Sequence, residues 1–511
     1  MHDTVLMGID LGAGSLKVTI IDTAGALLGS ASSDVRTNSP QPGWAEQDPE
    51  EWYRGLCHAV PAALAIAGIK SGDIGAVSFS AGAHTPVLLD EDNQLIRPAI
   101  LWSDQRSSVE AHELAQKAGA MIHATSFNNP APTWTLPQLQ WLQTHEPDSV
   151  RRTKRLLIAK DYLRFRLTGG WHTDRVDAVG TLMTDSSAST WSEELCALIG
   201  WNMETLPPIV EPTAVVGEVS RQGAEESGLA AGTPMVAGTM DTAAECYGAG
   251  AVDAGHCTIK LATAGTVSVI TDTFSAHAEV IDYPHVIPGY GYAITGTNSC
   301  ASAHRWLRDQ LFMPADPSNA DGDPGQAAFN EMERLAASIP AGSDGMLFHP
   351  YLQGERSPYW DAKLRADFIG VTIRHTKGHF VRALYEGVAF SLLDCMESLN
   401  AQGLQSASAR LVGGGGRSAT WRQIVSDCTG LMIDVPENGD ASFGAALVAG
   451  VGIGAFNDER DAVKRCVKLI QHHEPDAANH ALYGELFAVY KDAQAALSGI
   501  NHTLTDLMVN R

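Results

Sequence analysis

Two stretches half a chain apart share one design. Val5 to Ile9 is an apolar run that ends at Asp10, turns through Leu11-Gly12-Ala13-Gly14-Ser15 and continues as the alternating segment Lys17 to Ile21. Cys257 to Leu261 likewise turns through Ala262-Thr263-Ala264-Gly265-Thr266 into Val267 to Ile270, with a further strand near Tyr292. A strand, a turn of small residues and a returning strand make a hairpin whose backbone N–H groups stay open to an anion. One such hairpin per half predicts a duplicated unit. No low-complexity linker marks the boundary, so the division is expected near Gly248 to Gly255, giving residues 1–247 and 248–511.

Around the hairpins, strand and helix signals alternate. Ala26 to Leu28 reads as a third strand, and Asp48-Pro49-Glu50-Glu51 supplies an N-cap, an N1 proline and two acids for a helix running toward Ile66. Ile74 to Ser80 and Pro98 to Trp102 read as buried β segments, followed by His84 and Asp104. In the second half, Phe380, Leu384, Val388 and Ser391 keep helical spacing through His379 to Met396. Strand Arg410 to Val412 then meets the run Gly413 to Gly416, and Ser418 is placed to cap another helix. The class is α/β, where polar residues just beyond strand ends usually bind the ligand. At roughly 150 residues per domain, 511 residues allow two to four domains.

Thirty-five Lys and Arg against 59 Asp and Glu leave a formal charge of −24, which argues against nucleic acid as a partner. A phosphate ligand therefore needs backbone N–H groups, a few cations or a metal ion close by. Eight cysteines without a C-x-x-C pair predict reduced core thiols. Met1-His2-Asp3-Thr4 has no basic n-region and Asp10 interrupts the apolar run behind it, so the expectation is a cytoplasmic chain with no membrane partner. The apolar stretch Ala441 to Asn457 is short for a span and rich in Gly and Ala, as a buried helix would be. His472, His473 and His480 lie in a polar tail and read as exposed side chains.

Three segments suit phosphate chemistry. Asp10 before the turn Gly12 to Gly14 fits a Mg²⁺ ion held through water beside nucleotide phosphates; a plain glycine-rich hairpin explains the same residues. Val236 to Ala244 delivers Asp241 from an apolar strand to a run of small residues, where it could take the proton of an attacking hydroxyl or cap a helix. Gly413 to Arg417 could pass under a flat adenosine or form a tight turn, and it is not a dinucleotide fingerprint. Ala441-Ser442-Phe443-Gly444 could wall the same site or pack as a helix. Trp44, Trp102 and Trp134 suit either a sugar face or a core.

In order along nearly the whole chain, these segments resemble the FGGY carbohydrate kinases, and within that family the xylulokinases. The likeness runs through Asp10-Leu11-Gly12, Gly43-Trp44 to Pro49, Leu101-Trp102-Ser103-Asp104-Gln105-Arg106, Lys160-Asp161-Tyr162-Leu163 and Ala237-Gly238 with Asp241. It continues in Gly354-Glu355-Arg356-Ser357-Pro358 and in Arg382 to Gly387. The resemblance implies two ribonuclease-H-like domains of the actin and sugar-kinase superfamily flanking a cleft. It also implies ATP-dependent phosphorylation of a small ketose, D-xylulose first, with ATP and Mg²⁺ as cofactors. By this likeness Asp241 is the general base, Asp10 helps hold the metal, and Gly12, Ala13, Gly14, Lys17, Thr263 and Gly265 cradle phosphates. Gly414, Gly415, Ser442 and Gly444 would border adenosine. His84, Asp104 and Asp241 are the implied sugar ligands, and a homodimer is the implied assembly.

The chain departs from that pattern at three places. Ala13 replaces the usual Thr of the first turn and removes a hydroxyl donor to phosphate. Gly82-Ala83-His84-Thr85 stands where xylulokinases carry Gln-Met-His-Gly, and Thr242 stands where they carry Asn. A site built on substrate hydrogen bonds discriminates strongly, so ribulose, a deoxy-sugar ketose, glycerol and a tetritol remain alternative acceptors. A nucleotide-dependent conformational protein with little sugar turnover is the reading of a different class.

Overall fold

The computed structural model describes residues 4–313 and 323–509. Two seven-stranded sheets form its frame. The first contains β1 (Val5–Leu11), β2 (Ser15–Ile21), β3 (Leu27–Asp34), β4 (Ile74–Ala81), β5 (Val215–Glu218), β6 (Pro234–Val236) and β7 (Thr239–Met240). The second contains β8 (His256–Leu261), β9 (Gly265–Thr271), β10 (Ile281–Pro284), β11 (Gly291–Thr297), β12 (Ser408–Val412), β13 (Met432–Pro436) and β14 (Leu469–His473). In the first sheet β1, β2 and β3 form an antiparallel meander, and β4 adds parallel to β1. The second sheet does the same with β8, β9 and β11, and β12 adds parallel to β8. The opening hairpin of each half is thus the start of the same topological unit.

The helices that position the site are α1 (Pro49–Ala67), α2 (Ala159–Thr168), α3 (Arg175–Gly180), α4 (Asp241–Gly248), α5 (Ala301–Leu311), α6 (Pro324–Ala337), α7 (Lys377–Ala401), α8 (Ala419–Thr429) and α9 (Ala441–Gly452). As its sequence predicts, α1 is capped by Asp48, which accepts from Glu50 N, and it ends at Gly68 in the left-handed conformation. Ser418 caps α8 by accepting from Trp421 N.

Alternation along β1 carries side chains to both faces of this strand, and both faces are dry. Met7, Ile9 and Leu11 belong to one core with Trp52, Leu56 and Val60 of α1. Full burial of such side chains contributes about 1.5–3 kcal/mol each. Leu6 and Gly8 face the other way, toward α9, which comes from the second half of the chain. A Cβ on Gly8 would lie 1.9 Å from the Ser442 carbonyl oxygen, so only glycine lets α9 lie on this strand. The Ala441 stretch is therefore the buried small-residue helix that its composition suggests. Asp10, the next residue on that face of β1, lies beside Asp440, the N-cap of α9.

Some expectations are corrected. Pro98 to Trp102 does not join the main sheet: only Ala99–Ile100 is extended, paired with Glu46–Gln47. The third strand runs on to Asp34. His472 and His473 lie on β14, where His472 Nδ1 meets Asp434 Oδ1 at 2.5 Å, and His480 Nδ1 bonds the Asp427 carbonyl at 2.8 Å. His472 and His480 are exposed, as expected, and His473 is half-buried. All eight cysteines are unpaired, and seven are buried. No helix among the described residues is long and apolar enough to cross a membrane.

Candidate active site

Three strands end together. Near its C-terminal end β4 runs between β1 and β7, with Asp10 opposite Ser80 and Met240 opposite Ala81. The chain leaves β7 directly into α4, whose first residue is Asp241, so Asp10 and Asp241 flank the end of a single strand. Ser80 Oγ donates to Asp10 Oδ1 at 2.8 Å. Asp241 Oδ1 accepts from Thr242 N at 2.6 Å and from Thr242 Oγ1 at 3.2 Å. Met240, not Asp241, holds the N-cap position of α4, and no described residue donates to Asp241 Oδ2.

Burial and like charge act together at this corner. Burial, the Asp241 charge and that of Asp440 push the Asp10 carboxyl up to about 7, with the Ser80 bond and Lys260 opposing. Burial also raises Asp241, against Lys260 and the Thr242 bonds. Lys260 of β8 crosses from the second sheet to Glu245, one turn along α4, at 2.7 Å. Lys17, opposite Asp10 in β2, is ion-paired with Asp440.

The two turns differ in how open they are. In the first, Gly12 N donates to Ser15 O at 2.9 Å and Ala13 O accepts from Gln47 Nε2 at 2.8 Å. A Cβ on Gly14 would meet nothing within 4 Å, so Gly14 is the position an anion can approach. In the second, the Thr263 carbonyl accepts from Ser302 Oγ at 2.7 Å and Thr263 Oγ1 accepts from Arg305 Nη2 at 2.9 Å. Gly265 serves packing, because a Cβ there would lie 2.9 Å from Thr297 Cγ2.

Beyond Thr263 lies a cavity of about 440 Å³, bounded by Arg305 of α5, Glu333 of α6, Tyr385 of α7 and the loop Gly414-Gly415. Gly414 leaves open space where a Cβ would be, whereas a Cβ on Gly415 would lie 2.8 Å from Leu261 Cβ and 3.0 Å from Trp421 Cζ3. The Tyr385 ring at this border stacks on the buried Trp421 ring at 4.6 Å with planes 7° apart. Ser442 and Gly444 are not on its wall. Ser442 Oγ bonds Thr19 Oγ1 and Asp440 Oδ1, and a Cβ on Gly444 would lie 1.8 Å from the Ala244 carbonyl oxygen. Their small size serves the contact of α9 with β1 and α4.

On the first-half side, a narrow cleft joins Gly12 and Ala13 to Gly82, Thr85 and Trp102. His84 follows β4 with φ +60° and stacks on Trp134 at 4.1 Å. Its Nδ1 faces the Thr133 carbonyl at 3.1 Å and its Nε2 faces the Tyr283 hydroxyl at 2.6 Å. Burial holds its pKa down to about 3, so the ring is neutral, donating from Nδ1 and accepting at Nε2. Asp104 is a correction. Its Oδ1 accepts from Arg106 N and Nε, and its Oδ2 from Ala45 N and Arg106 Nη2, all within 2.9 Å. A carboxylate so engaged holds the loop under Trp44, whose ring Arg106 covers at 3.8 Å. Trp102 is exposed, and Trp134 is buried beneath His84.

Lys260, Glu245, Ser80, Asp440 and Tyr283 are the site residues that sequence reasoning missed. Lys260 carries a signal: it is a lone cation inside an apolar strand, just before the second turn, where Asp10 stands before the first.

Residues 5–248 match the model of the N-terminal domain of the FGGY family of carbohydrate kinases, and residues 261–453 match that of its C-terminal domain. The chain belongs to this family. A xylulose kinase from Staphylococcus epidermidis is 30% identical over 497 residues, covering 96% of each chain. A gluconokinase from Bacillus subtilis is 27% identical over 492 residues, covering 95% of this chain and 94% of that one. The crystal structure of a xylulose kinase from Rhodospirillum rubrum superimposes with a TM-score of 0.86 at 27% identity, over 98% of this chain and 100% of that one. The two-domain α/β fold is that of the FGGY kinases, and the chain is a sugar kinase, a phosphotransferase.

Proposed function

We propose that this FGGY kinase transfers the γ-phosphoryl group of ATP to a hydroxyl of a small ketose, with D-xylulose as the first acceptor; several relatives are named xylulose kinases. One observation carries the reading: Asp241 keeps Oδ2 free while Thr242 holds Oδ1, at the end of the strand whose other flank carries Asp10. Oriented in this way, Asp241 takes the acceptor proton as the hydroxyl oxygen attacks. A carboxylate raised by burial is a stronger base, and the Lys260 charge opposes that rise. Adenosine would lie on the Tyr385 side of the cavity over Gly414, with the phosphates passing the turns at Thr263 and Gly14.

The residues at Asp10 fit Mg²⁺. Several acids crowd one half-buried corner, which favours a cation, and this ion needs only one or two protein carboxylates when it keeps water and phosphate ligands. Asp10 would hold it through water; no cluster of three or more ligating side chains stands ready among the described residues. Bound there, the ion would neutralise phosphate charge.

The test is ADP release in a coupled assay with D-xylulose, ribulose, glycerol, a tetritol and gluconate. Acceptor-dependent release, largest with a ketose, is expected. Hydrolysis indifferent to any sugar contradicts the reading and favours a nucleotide-driven conformational protein.

A further inference from the structure

His84 is enclosed on every side that bears chemistry. Its Nδ1 proton goes to the Thr133 carbonyl, one ring face lies on Trp134, and a Cβ on neighbouring Gly180 of α3 would come within 3.2 Å of its Cδ2. The remaining lone pair, on Nε2, accepts the Tyr283 hydroxyl at 2.6 Å. Tyr283 belongs to β10 of the second sheet, yet the first half of the chain grips it from both sides. Asn128 brackets the preceding residue, donating to the Asp282 carbonyl at 2.8 Å and accepting from Asp282 N at 2.9 Å. Arg175 donates to the His285 carbonyl at 2.5 Å. The Tyr283 ring is wedged between Trp134 at 5.8 Å and Tyr292 at 5.5 Å.

We propose that Tyr283 is a specificity-determining residue of the acceptor site: its clamped hydroxyl occupies the one nitrogen of His84 that a sugar hydroxyl could use, and so biases the site toward shorter acceptors. The proposal rests on the acceptor site lying at His84 and deepens the kinase reading. A five-carbon ketose has one more hydroxyl to satisfy than a four-carbon ketose. With Tyr283 in place that hydroxyl must displace a short buried hydrogen bond or stay unpaired, and either costs binding. A four-carbon ketose leaves the His84–Tyr283 pair intact. Tyr283 therefore narrows the lead of D-xylulose over erythrulose, and removing its hydroxyl alone restores a free acceptor on His84.

The experiment measures binding of D-xylulose and erythrulose to the full chain by calorimetry, in the presence of a non-hydrolysable ATP analogue, for the native protein, Tyr283→Phe and Tyr292→Phe. Phenylalanine keeps the aromatic packing in both variants. Tyr292→Phe removes the neighbouring hydroxyl of the same stack and controls for loosening. Tyr283→Phe is expected to raise the affinity ratio of D-xylulose to erythrulose roughly tenfold, the worth of one hydrogen bond at a buried site, with the ratio unmoved in Tyr292→Phe. A ratio unchanged in Tyr283→Phe, or moved equally by both variants, overturns the proposal, as does failure of either ketose to bind any of the three proteins. If the ratio moves as expected while no sugar gives ADP release, the specificity role stands and the kinase reading falls.

Discussion

Lys260 reaches from the second sheet to Glu245 at 2.7 Å, one turn along α4 from Asp241, so a cation of one half acts on a carboxylate of the other. Its charge opposes the rise that burial imposes on Asp241. Lys260→Met removes that opposition, and a general base must be ionised to work. The acid limb of kcat against pH is expected to move to higher pH in Lys260→Met and to stay near its native position in Lys260→Arg. An unmoved limb in the Met variant would separate Lys260 from the base.

The loop beside the large cavity separates a packing glycine from a ligand-facing one. A side chain on Gly414 enters open space, whereas one on Gly415 collides with Leu261 and Trp421. Gly414→Leu is expected to raise KM for ATP about tenfold or more, the scale of one lost nucleotide contact, while the melting midpoint and KM for the sugar hold. Gly415→Leu should instead lower the melting midpoint.

Gly444 tests the same distinction on α9. The Cβ of an alanine would lie 1.8 Å from the Ala244 carbonyl oxygen, so α9 and α4 must separate. Gly444→Ala is expected to destabilise the chain by about 1–3 kcal/mol, read as a lower urea midpoint, with KM for ATP unchanged in the folded fraction. A raised KM at unchanged stability would return this glycine to the nucleotide site.

Buried neutral histidines make the fold acid-sensitive. Burial is the first cause that holds His84 and His285 down to about 3 and His304 down to about 4, from an ordinary value of 6.5. Below that ordinary value the unfolded chain takes protons that the folded chain refuses. The stability from keeping each ring neutral is complete above it and is lost as pH falls toward the folded values, at up to about 1.4 kcal/mol per pH unit per histidine. Asp10 has the opposite sign, since its raised carboxyl favours the folded state at low pH and loses that contribution as pH rises through about 7. His285→Asn keeps an acceptor for Ile287 N, and its urea midpoint should fall less than the native one between about pH 7 and pH 5. Equal falls would show that His285 is not a source of the sensitivity.

The frame was legible because its signals are local. A strand that ends in an acid and turns on small residues has few uses, and the Asp48-Pro49 cap and the spacing of α7 each lie within a few turns of chain. Ser442 and Gly444 were ambiguous for a physical reason: small residues permit close approach by a phosphate or by another helix, and only the placement of α9 on β1 decides. Asp104 reads as a strand-end ligand until Arg106, two residues on, closes on it. Tyr283 had no signal, because its role depends on Asn128 and Arg175 clamping β10 to distant parts of the chain.

The most direct measurement is single-turnover phosphoryl transfer by Asp241→Asn, with ATP and sugar binding followed in the same samples. Asparagine keeps the size of the side chain and removes the basic oxygen. Transfer should slow by about 10²–10⁴-fold, the usual worth of a positioned general base, while both ligands bind within a few-fold of native affinity. Transfer at the native rate, or loss of ATP binding with it, would contradict the assignment of Asp241 as the base.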